Sequence, residues 1–280
     1  MKRFIILVCM CFFVSLSWGQ ILEEKNVDVK VRYNADSVRA VLDKMPYFTL
    51  FRDNYFSGGI PLGTKPTGHN SDVKFQLSIS QRLTKSKLPF DSYLFIQYTQ
   101  KAFWDVFRES LPMRDLNFNP GIGLGHLIIR HNKYIGKAYL MLEHESNGRD
   151  SIDSRSWNKI TLSCALVLND NWETQFKTWI PIIDGENNKD ILKYNGIFQF
   201  AVNYRTCNKR LQIGALITQR KAWFGFNTQL ELSYKFNKRE NQFFFIQYYN
   251  GYGENLLEYN QYKNMLRVGF VIKPQDFSLY

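Results

Sequence analysis

A stretch of strict alternation, WFGFNTQLELSYKF at residues 223–236, constrains the fold more than any other feature of this chain. One face of it carries Phe224, Phe226, Thr228, Leu230, Leu232, Tyr234 and Phe236. The other face carries Gly225, Asn227, Gln229, Glu231, Ser233 and Lys235. Such period-two alternation predicts a β-strand with one apolar face. A soluble sandwich also alternates, but a long strand with aromatic ends favours a membrane β-barrel, with lipid outside and a polar lumen.

The same alternation recurs along the chain and predicts about twelve strands. They are 46–57, 74–82, 91–101, 120–130, 135–146, 156–168, 171–182, 194–204, 208–219, 223–236, 241–250 and 263–275. Connections after even-numbered strands are mostly short, as at 169–170, and several after odd-numbered strands are long, as at 147–155. Short periplasmic turns and long outer loops are typical of bacterial barrels, which have an even number of strands. The sequence therefore predicts an all-β, 12-stranded antiparallel transmembrane β-barrel over residues 46–280.

The N-terminal residues predict export. Lys2 and Arg3 precede an apolar run at 4–14 and a small-residue site at 17–19, which together indicate a signal peptide over residues 1–19. The alternative, a short membrane anchor, would be too short to span a bilayer comfortably. Residues 20–45 are charged and are expected to lie in the periplasm. The chain ends in FSLY, so Tyr280 is expected to be an aromatic terminus on the final strand.

Composition supports the barrel and narrows the possible partners. Aromatic residues make up 16% of the chain, as a lipid face and two aromatic girdles require. The net charge of +11 could indicate nucleic acid, but in an exported chain it favours an anionic membrane surface, and we expect no nucleic-acid partner. Beyond the signal peptide, Cys164 and Cys207 are too few for a disulfide framework, and no Cys/His spacing predicts zinc.

A hairpin at residues 144–158, HESNGRDSIDSRSWN, carries the candidate catalytic residues. The apolar face of one strand continues into His144 and Ser146, and that of the next strand continues into Asn158, so all three should face outward at the membrane rim. If Ser146 opposes Ser156, His144 opposes Asn158 with Cβ atoms about 5 Å apart. A serine, a histidine and an amide in a row favour a nucleophile, a base and an orienting group. The alternative is an ordinary polar rim, although polar groups that face lipid usually have a purpose.

This hairpin closely resembles the active-site segment of the outer membrane phospholipase A family, whose pattern is His-x-Ser-Asn-Gly followed by Ser-Arg-Ser-Trp-Asn. Other stretches are similar in the same order: YTQKAFW (98–104), SLPMRDLNFNP (110–120), DILKYNGIFQF (190–200) and GYGENLLEYN (251–260). The resemblance implies a twelve-stranded barrel, hydrolysis of phospholipid acyl esters, a need for calcium and activity as a homodimer.

The resemblance also assigns roles. It implies that Ser146 is the nucleophile, His144 the general base, Asn158 the orienting residue, and the Gly148 N–H an oxyanion donor. Three departures from the family pattern leave these residues untouched. Residues 113–118 read Met-Arg-Asp-Leu-Asn-Phe where the family tends towards Phe-Arg-Glu-x-Asn-Tyr, Leu111 stands where a second serine is common, and Tyr280 replaces a terminal phenylalanine.

Calcium ligands are implied in the same way. The Arg149 carbonyl and the Ser154 hydroxyl would bind Ca²⁺, and Ser110 would contribute from the partner chain. Oxygen ligands on a polar loop suit this hard cation. The substitution at Leu111 makes Ser110 the least secure of the three.

Gln100 shares a face with apolar residues and should point to lipid, where an unpartnered amide is costly. In the family the matching glutamine lies in the dimer interface. The alternative is a local bulge that turns Gln100 inward.

The sequence patterns predict an outer-membrane barrel with a candidate triad, and the family resemblance implies that it is a calcium-dependent phospholipase of the bacterial outer membrane, with its site towards the outer leaflet. A catalytically silent barrel, either a narrow channel or a structural protein, is the main alternative, and the intact triad argues against it. Another acyl hydrolase, such as a lipid A deacylase, is a third possibility, against which the strand count and the calcium-loop residues argue.

Overall fold

The computed structural model describes residues 47–84, 88–131, 133–182, 185–222, 224–237, 241–274 and 280. The predicted signal peptide (1–19) and periplasmic segment (20–45) lie outside these residues. No helix in the described ranges is long and apolar enough to cross a membrane. The strands are β1 (Phe48–Leu50), β2 (Asn54–Pro61), β3 (Asp72–Arg82), β4 (Ser92–Trp104), β5 (Met113–Arg130), β6 (Lys133–Ser146), β7 (Ser156–Val167), β8 (Trp172–Ile182), β9 (Phe198–Arg205), β10 (Leu211–Gln219), β11 (Phe226–Tyr234), β12 (Gln242–Gly251) and β13 (Lys263–Ile272).

Antiparallel pairing closes these strands into a barrel. Each strand from β3 to β13 pairs with its neighbours in the chain, and β13 pairs with β2 to complete the ring. Strands β1 and β2 both pair with β3, one after the other, so together they form one barrel strand interrupted at 51–53. The predicted 12-stranded antiparallel barrel is therefore confirmed.

Several predicted strand bounds differ from the observed ones, and two of the differences have a clear structural cause. The strand predicted at 120–130 begins at Met113, because the ladder continues past Pro120, a residue that commonly marks the start of a strand. The strand predicted at 194–204 begins only at Phe198, because a single turn of helix, α1 (Leu192–Asn195), precedes it.

Side chains on the wall alternate between an apolar outer face and a polar lumen. Leu140, Leu142 and Leu162 are 50%, 53% and 50% exposed on the outside. Met141 and Glu143, the residues on either side of Leu142, are buried on the lumen side. Lipid outside and a polar lumen are the arrangement that the alternation predicts.

Ion pairs cross the lumen. The Arg267 guanidinium donates to both carboxylate oxygens of Asp72, at 3.0 and 3.1 Å, and also to Glu254. The Lys74 ammonium donates to Glu254 at 3.1 Å and to Gln247 at 2.9 Å. These side chains are all buried, and buried charges are tolerated only when they are paired in this way. The network ties β3, β12 and β13 together and leaves a cavity of about 170 Å³.

The loop at 252–262 packs into one mouth of the barrel, at the same end as residues 147–155. Its Leu256 and Tyr259 join Trp157, Trp179 and Ile191 in one buried cluster. The Leu256 N–H donates to the Asp115 carboxylate at 3.1 Å. This cluster lies on the lumen side of the hairpin at residues 144–158, since Trp157 is next to Asn158 on β7 and faces inward.

Glu254 anchors this loop electrostatically. Burial alone would raise the pKa of its carboxyl group, but the neighbouring Arg267 and Lys74 cations lower that pKa to about 2. Because the pKa is depressed, the carboxylate stabilises the fold above its usual pKa of 4.5, and this stabilisation is lost as the pH falls towards 2.

Tyr280 does not lie on the final strand, so that prediction is wrong. Strand β13 ends at Ile272. The Tyr280 side chain lines the lumen cavity, where its hydroxyl lies 2.9 Å from Asn203 Oδ1 and 3.2 Å from Glu231 Oε2. A tyrosine hydroxyl finds polar partners in this lumen that lipid cannot supply.

Candidate active site

The pairing of β6 with β7 brings the candidate residues together. His144 lies opposite Asn158, and Ser146 lies opposite Ser156, which is the register that the sequence predicts. Ile160, which follows Asn158 on the same face of β7, is 40% exposed on the outside of the barrel. The three candidate side chains therefore continue the lipid-facing surface at the end of the hairpin.

His144 and Asn158 form a direct hydrogen bond, with His144 Nδ1 2.8 Å from Asn158 Oδ1. An amide oxygen can only accept a hydrogen bond, so Nδ1 must carry the proton and donate it. The other ring nitrogen, Nε2, is then the basic one. The imidazole is thus held in the tautomer that a general base requires.

Ser146 lies two positions from His144 on the same face of β6. Residues so spaced lie roughly 7 Å apart along a strand, within side-chain reach of each other. Within the described part of the chain, no hydrogen bond joins the Ser146 hydroxyl to the imidazole. Catalytic hydrogen bonds of this kind often tighten only when substrate binds.

Position 148 requires glycine for two structural reasons. Its φ of +64° lies in the left-handed region that favours glycine. A Cβ atom built there would come within 2.9 Å of the Phe118 ring. Phe118 itself pairs with Ser146 across β5 and β6. Gly148 is exposed two residues beyond the serine, and the nearby Phe118 ring leaves no room for a side chain at this position.

Asn147 organises the loop at 147–155, a role that our sequence reasoning missed. Its side-chain oxygen accepts from the backbone N–H of Arg155 at 2.9 Å and of Arg149 at 3.4 Å. Its amide nitrogen donates to the Asp153 carbonyl at 2.9 Å. The available signal was an asparagine at a hairpin tip, because asparagine readily bonds nearby backbone groups.

The candidate calcium ligands lie on two different loops. Arg149 and Ser154 share the loop that Asn147 holds together, and the Arg149 guanidinium lies 3.6 Å from the Asp153 carboxylate. Ser110 lies exposed on the 105–112 turn, with a φ of +63°, and no hydrogen bond of the described residues joins it to that loop. Among the described residues, no group of three or more His, Cys, Asp or Glu side chains could hold a metal ion.

Gln100 faces outward, and no bulge turns it inward. It pairs with Leu77, which is 54% exposed on the lipid face. The register shift in this part of the wall lies at Phe103 and Trp104 instead. Tyr98, two residues earlier on the same face, donates its hydroxyl to Gln100 Oε1 at 3.0 Å.

A closed barrel with an apolar exterior and a polar lumen defines an integral outer-membrane protein, here with a serine, a histidine and an asparagine on its outer wall. A family model described as phospholipase A1 matches residues 55–272. The chain therefore belongs to the phospholipase A1 family and is a phospholipase of the outer membrane.

Individual relatives agree with this family. Phospholipase A1 of Proteus vulgaris is 33% identical over 217 residues, which cover 74% of this chain and 71% of the relative. An active-site mutant of outer membrane phospholipase A from Escherichia coli, with an asparagine changed to alanine, superposes with a TM-score of 0.73 at 26% identity, covering 89% of this chain and 100% of that one. A dimer of the Salmonella typhi outer membrane phospholipase with bound calcium gives a TM-score of 0.71 at 26% identity, covering 82% and 93%.

Proposed function

We propose that this protein hydrolyses the acyl ester bonds of membrane phospholipids by a calcium-dependent mechanism in which Ser146, His144 and Asn158 act as a catalytic triad. The observation that carries the proposal is the 2.8 Å bond between His144 Nδ1 and Asn158 Oδ1, on the face that also presents Ser146. The active-site asparagine of the Escherichia coli structure supports the role of Asn158.

The first half of the reaction acylates Ser146. Its hydroxyl oxygen attacks the ester carbonyl carbon while His144 Nε2 takes the hydroxyl proton. The N–H of Gly148 donates to the oxyanion that forms on the carbonyl oxygen. When the tetrahedral intermediate collapses, the carbon–oxygen bond to the glycerol breaks, and the imidazolium returns the proton to the departing oxygen. The lysophospholipid leaves, and the acyl group remains on Ser146.

The second half of the reaction releases the fatty acid. Water attacks the acyl-serine carbonyl as His144 removes one of its protons, and the same N–H stabilises the second oxyanion. Collapse of that intermediate returns the proton to the Ser146 oxygen. Asn158 stays bonded to Nδ1 throughout, so the imidazole does not rotate or change tautomer.

The loop at 147–155 suits calcium by its chemistry. It offers the Arg149 carbonyl and the Ser154 hydroxyl, which are the neutral oxygen donors that a hard cation accepts, and Asp150 and Asp153 add negative charge nearby. Asn147 holds the two arms of this loop together. Ser110 of a second chain would add a third oxygen. A bound calcium ion would supply positive charge next to the oxyanion.

We further propose that the active unit is a homodimer within the outer membrane, with its site towards the outer leaflet. Residues 1–19 would direct export, residues 20–45 would lie in the periplasm, and residues 46–280 would form the barrel. The lipid-facing position of the site supports a substrate that arrives from the bilayer. The calcium-bound dimer of the Salmonella typhi relative supports both the assembly and the ion.

Gln100 provides a test of the dimer. Replacing it with alanine (Gln100→Ala) is expected to reduce the crosslinked dimer roughly tenfold, because a lipid-facing amide recovers its hydrogen bonds by meeting a partner barrel. Gln219→Ala is the matched control, since Gln219 lies on the outer face of β10, across the ring from β4. Equal dimer yields from both variants would refute the interface role.

Asn158 provides a test of the triad geometry. We expect Asn158→Ala to lower kcat by roughly a hundredfold, because the imidazole loses the acceptor that fixes its tautomer. We expect Asn158→Asp to keep most of the activity, because a carboxylate accepts the same Nδ1–H bond. Fatty-acid release from phospholipid–detergent micelles with calcium measures both variants. If Asn158→Ala matched the unmodified protein, the proposed role of the amide would be wrong.

A further inference from the structure

The β5–β6 ladder has a gap beside the catalytic histidine. Phe118 pairs with Ser146 and Gly121 pairs with Glu143, but no pair lies between them. Continuing the register places Pro120 opposite His144. Proline has no backbone N–H, so the strand cannot donate the hydrogen bond that the His144 carbonyl would otherwise receive there.

A side chain supplies the missing donor. Asn119 Nδ2 donates to the His144 carbonyl oxygen at 2.9 Å. Asn119 is buried, with only 6% of its surface exposed. A carbonyl oxygen only accepts, so the nitrogen end of the amide must face His144. The other end, Oδ1, lies 3.5 Å from Gln97 Nε2, which is consistent with that orientation.

The histidine is therefore held at two points by two different amides. Asn158 binds the imidazole on the outer face of the barrel, whereas Asn119 binds the main chain of the same residue from the lumen side. Gln97 extends this support, because its Nε2 atom also lies 3.4 Å from the Glu143 carboxylate. A shift of the His144 backbone would move Nε2 relative to Ser146, even with the bond to Asn158 intact.

We propose that Asn119 is a positioning residue for His144. Its side chain replaces the backbone N–H that Pro120 lacks, and so fixes the backbone segment that carries the general base. This inference rests on the proposed function of His144. It predicts a specific interdependence: Asn119 matters only because position 120 is a proline.

The test exploits that interdependence. Asn119→Leu removes the donor, and we expect kcat to fall roughly tenfold with KM nearly unchanged, since small misplacements of catalytic groups cost rate. Pro120→Ala restores a backbone N–H facing His144 and by itself should leave the rate nearly unchanged. In the double variant, the restored N–H should replace the missing amide, and kcat should return to within about twofold of the Pro120→Ala value.

Asn117 offers a matched control. It is an equally buried asparagine, two residues away on the same lumen-facing side of β5, and it binds Asp115 and the Leu256 N–H rather than His144. Any rate loss in Asn117→Leu should not be rescued by Pro120→Ala. Migration of the folded barrel on unheated gels shows that every variant is folded before rates are compared.

A second readout separates this inference from the proposed function. The carbonyl of His144, labelled with ¹³C, should show a weakened hydrogen bond in Asn119→Leu and a restored one in the double variant, whether or not the protein is active. An unchanged kcat in Asn119→Leu, or a double variant as slow as Asn119→Leu, would overturn the positioning role while leaving the triad standing. Full activity in a His144→Ala variant would instead overturn the proposed function.

Discussion

Alanine at either Ser146 or His144 is expected to lower phospholipid hydrolysis by at least about a thousandfold. Without the Ser146 hydroxyl no acyl-enzyme can form, and without the His144 imidazole no group accepts the proton of the nucleophile. Both side chains lie on the outer face of β6, which carries the leucines that face lipid. The measurement is release of fatty acid from phospholipid–detergent micelles containing calcium.

Ser156 supplies the control for this prediction. It lies directly opposite Ser146 on β7 and belongs to the same polar rim, so Ser156→Ala should retain activity. Groups that act as one catalytic unit are strongly non-additive, and the Ser146→Ala/His144→Ala double variant should therefore be no slower than either single one. Substantial turnover by Ser146→Ala would exclude it as the nucleophile.

Chelation of calcium is expected to have the second largest effect, a loss of roughly a hundredfold or more in kcat. If the single N–H of Gly148 is the oxyanion donor, as proposed, it would stabilise the oxyanion only weakly, and added positive charge should increase the rate greatly. The loop oxygens of Arg149 and Ser154 are the candidate ligands. A titration of fatty-acid release against free calcium, after treatment with a chelator, measures the effect.

Two controls sharpen the calcium experiment. Adding back excess calcium should restore the rate fully, which excludes damage by the chelator. Magnesium at the same concentration should restore much less, because it demands near-ideal octahedral geometry and holds its water more tightly. Hydrolysis that persisted unchanged in chelator would contradict the calcium mechanism.

The hairpin could be predicted from the sequence because both of its strands alternate without interruption. The outward leucines of β6 lead to His144 and Ser146, and those of β7 lead to Asn158, so parity alone orients all three. The register followed from pairing Ser146 with Ser156 across the loop, and the structure has that pairing. Local periodicity is enough to predict which way side chains face when apolar and polar residues alternate without a break along a strand.

Other features depend on contacts that a linear pattern does not contain. The sequence suggested that a strand begins at Pro120. In the structure this strand already begins at Met113, and the Asn119 side chain supplies the hydrogen-bond donor that Pro120 lacks. Tyr280 lies in the lumen, where Asn203 and Glu231 give its hydroxyl polar partners that exist only in the folded barrel. The three hydrogen bonds of the Asn147 side chain form only in the folded loop at 147–155, so the sequence pattern does not reveal them.

The charged side chains that fill the lumen also matter for the permeability of the outer membrane. In the described part of the chain, Arg267, Glu254 and Lys74 bridge the interior, and the loop that contains Leu256 packs into the mouth of the barrel beside the hairpin at residues 144–158. A phospholipase resident in the outer membrane must not itself become a leak for solutes. With the proposed triad on the outside of a barrel whose lumen is filled by paired charges, these two demands are separated, so that the enzyme would remain in the membrane without weakening the permeability barrier.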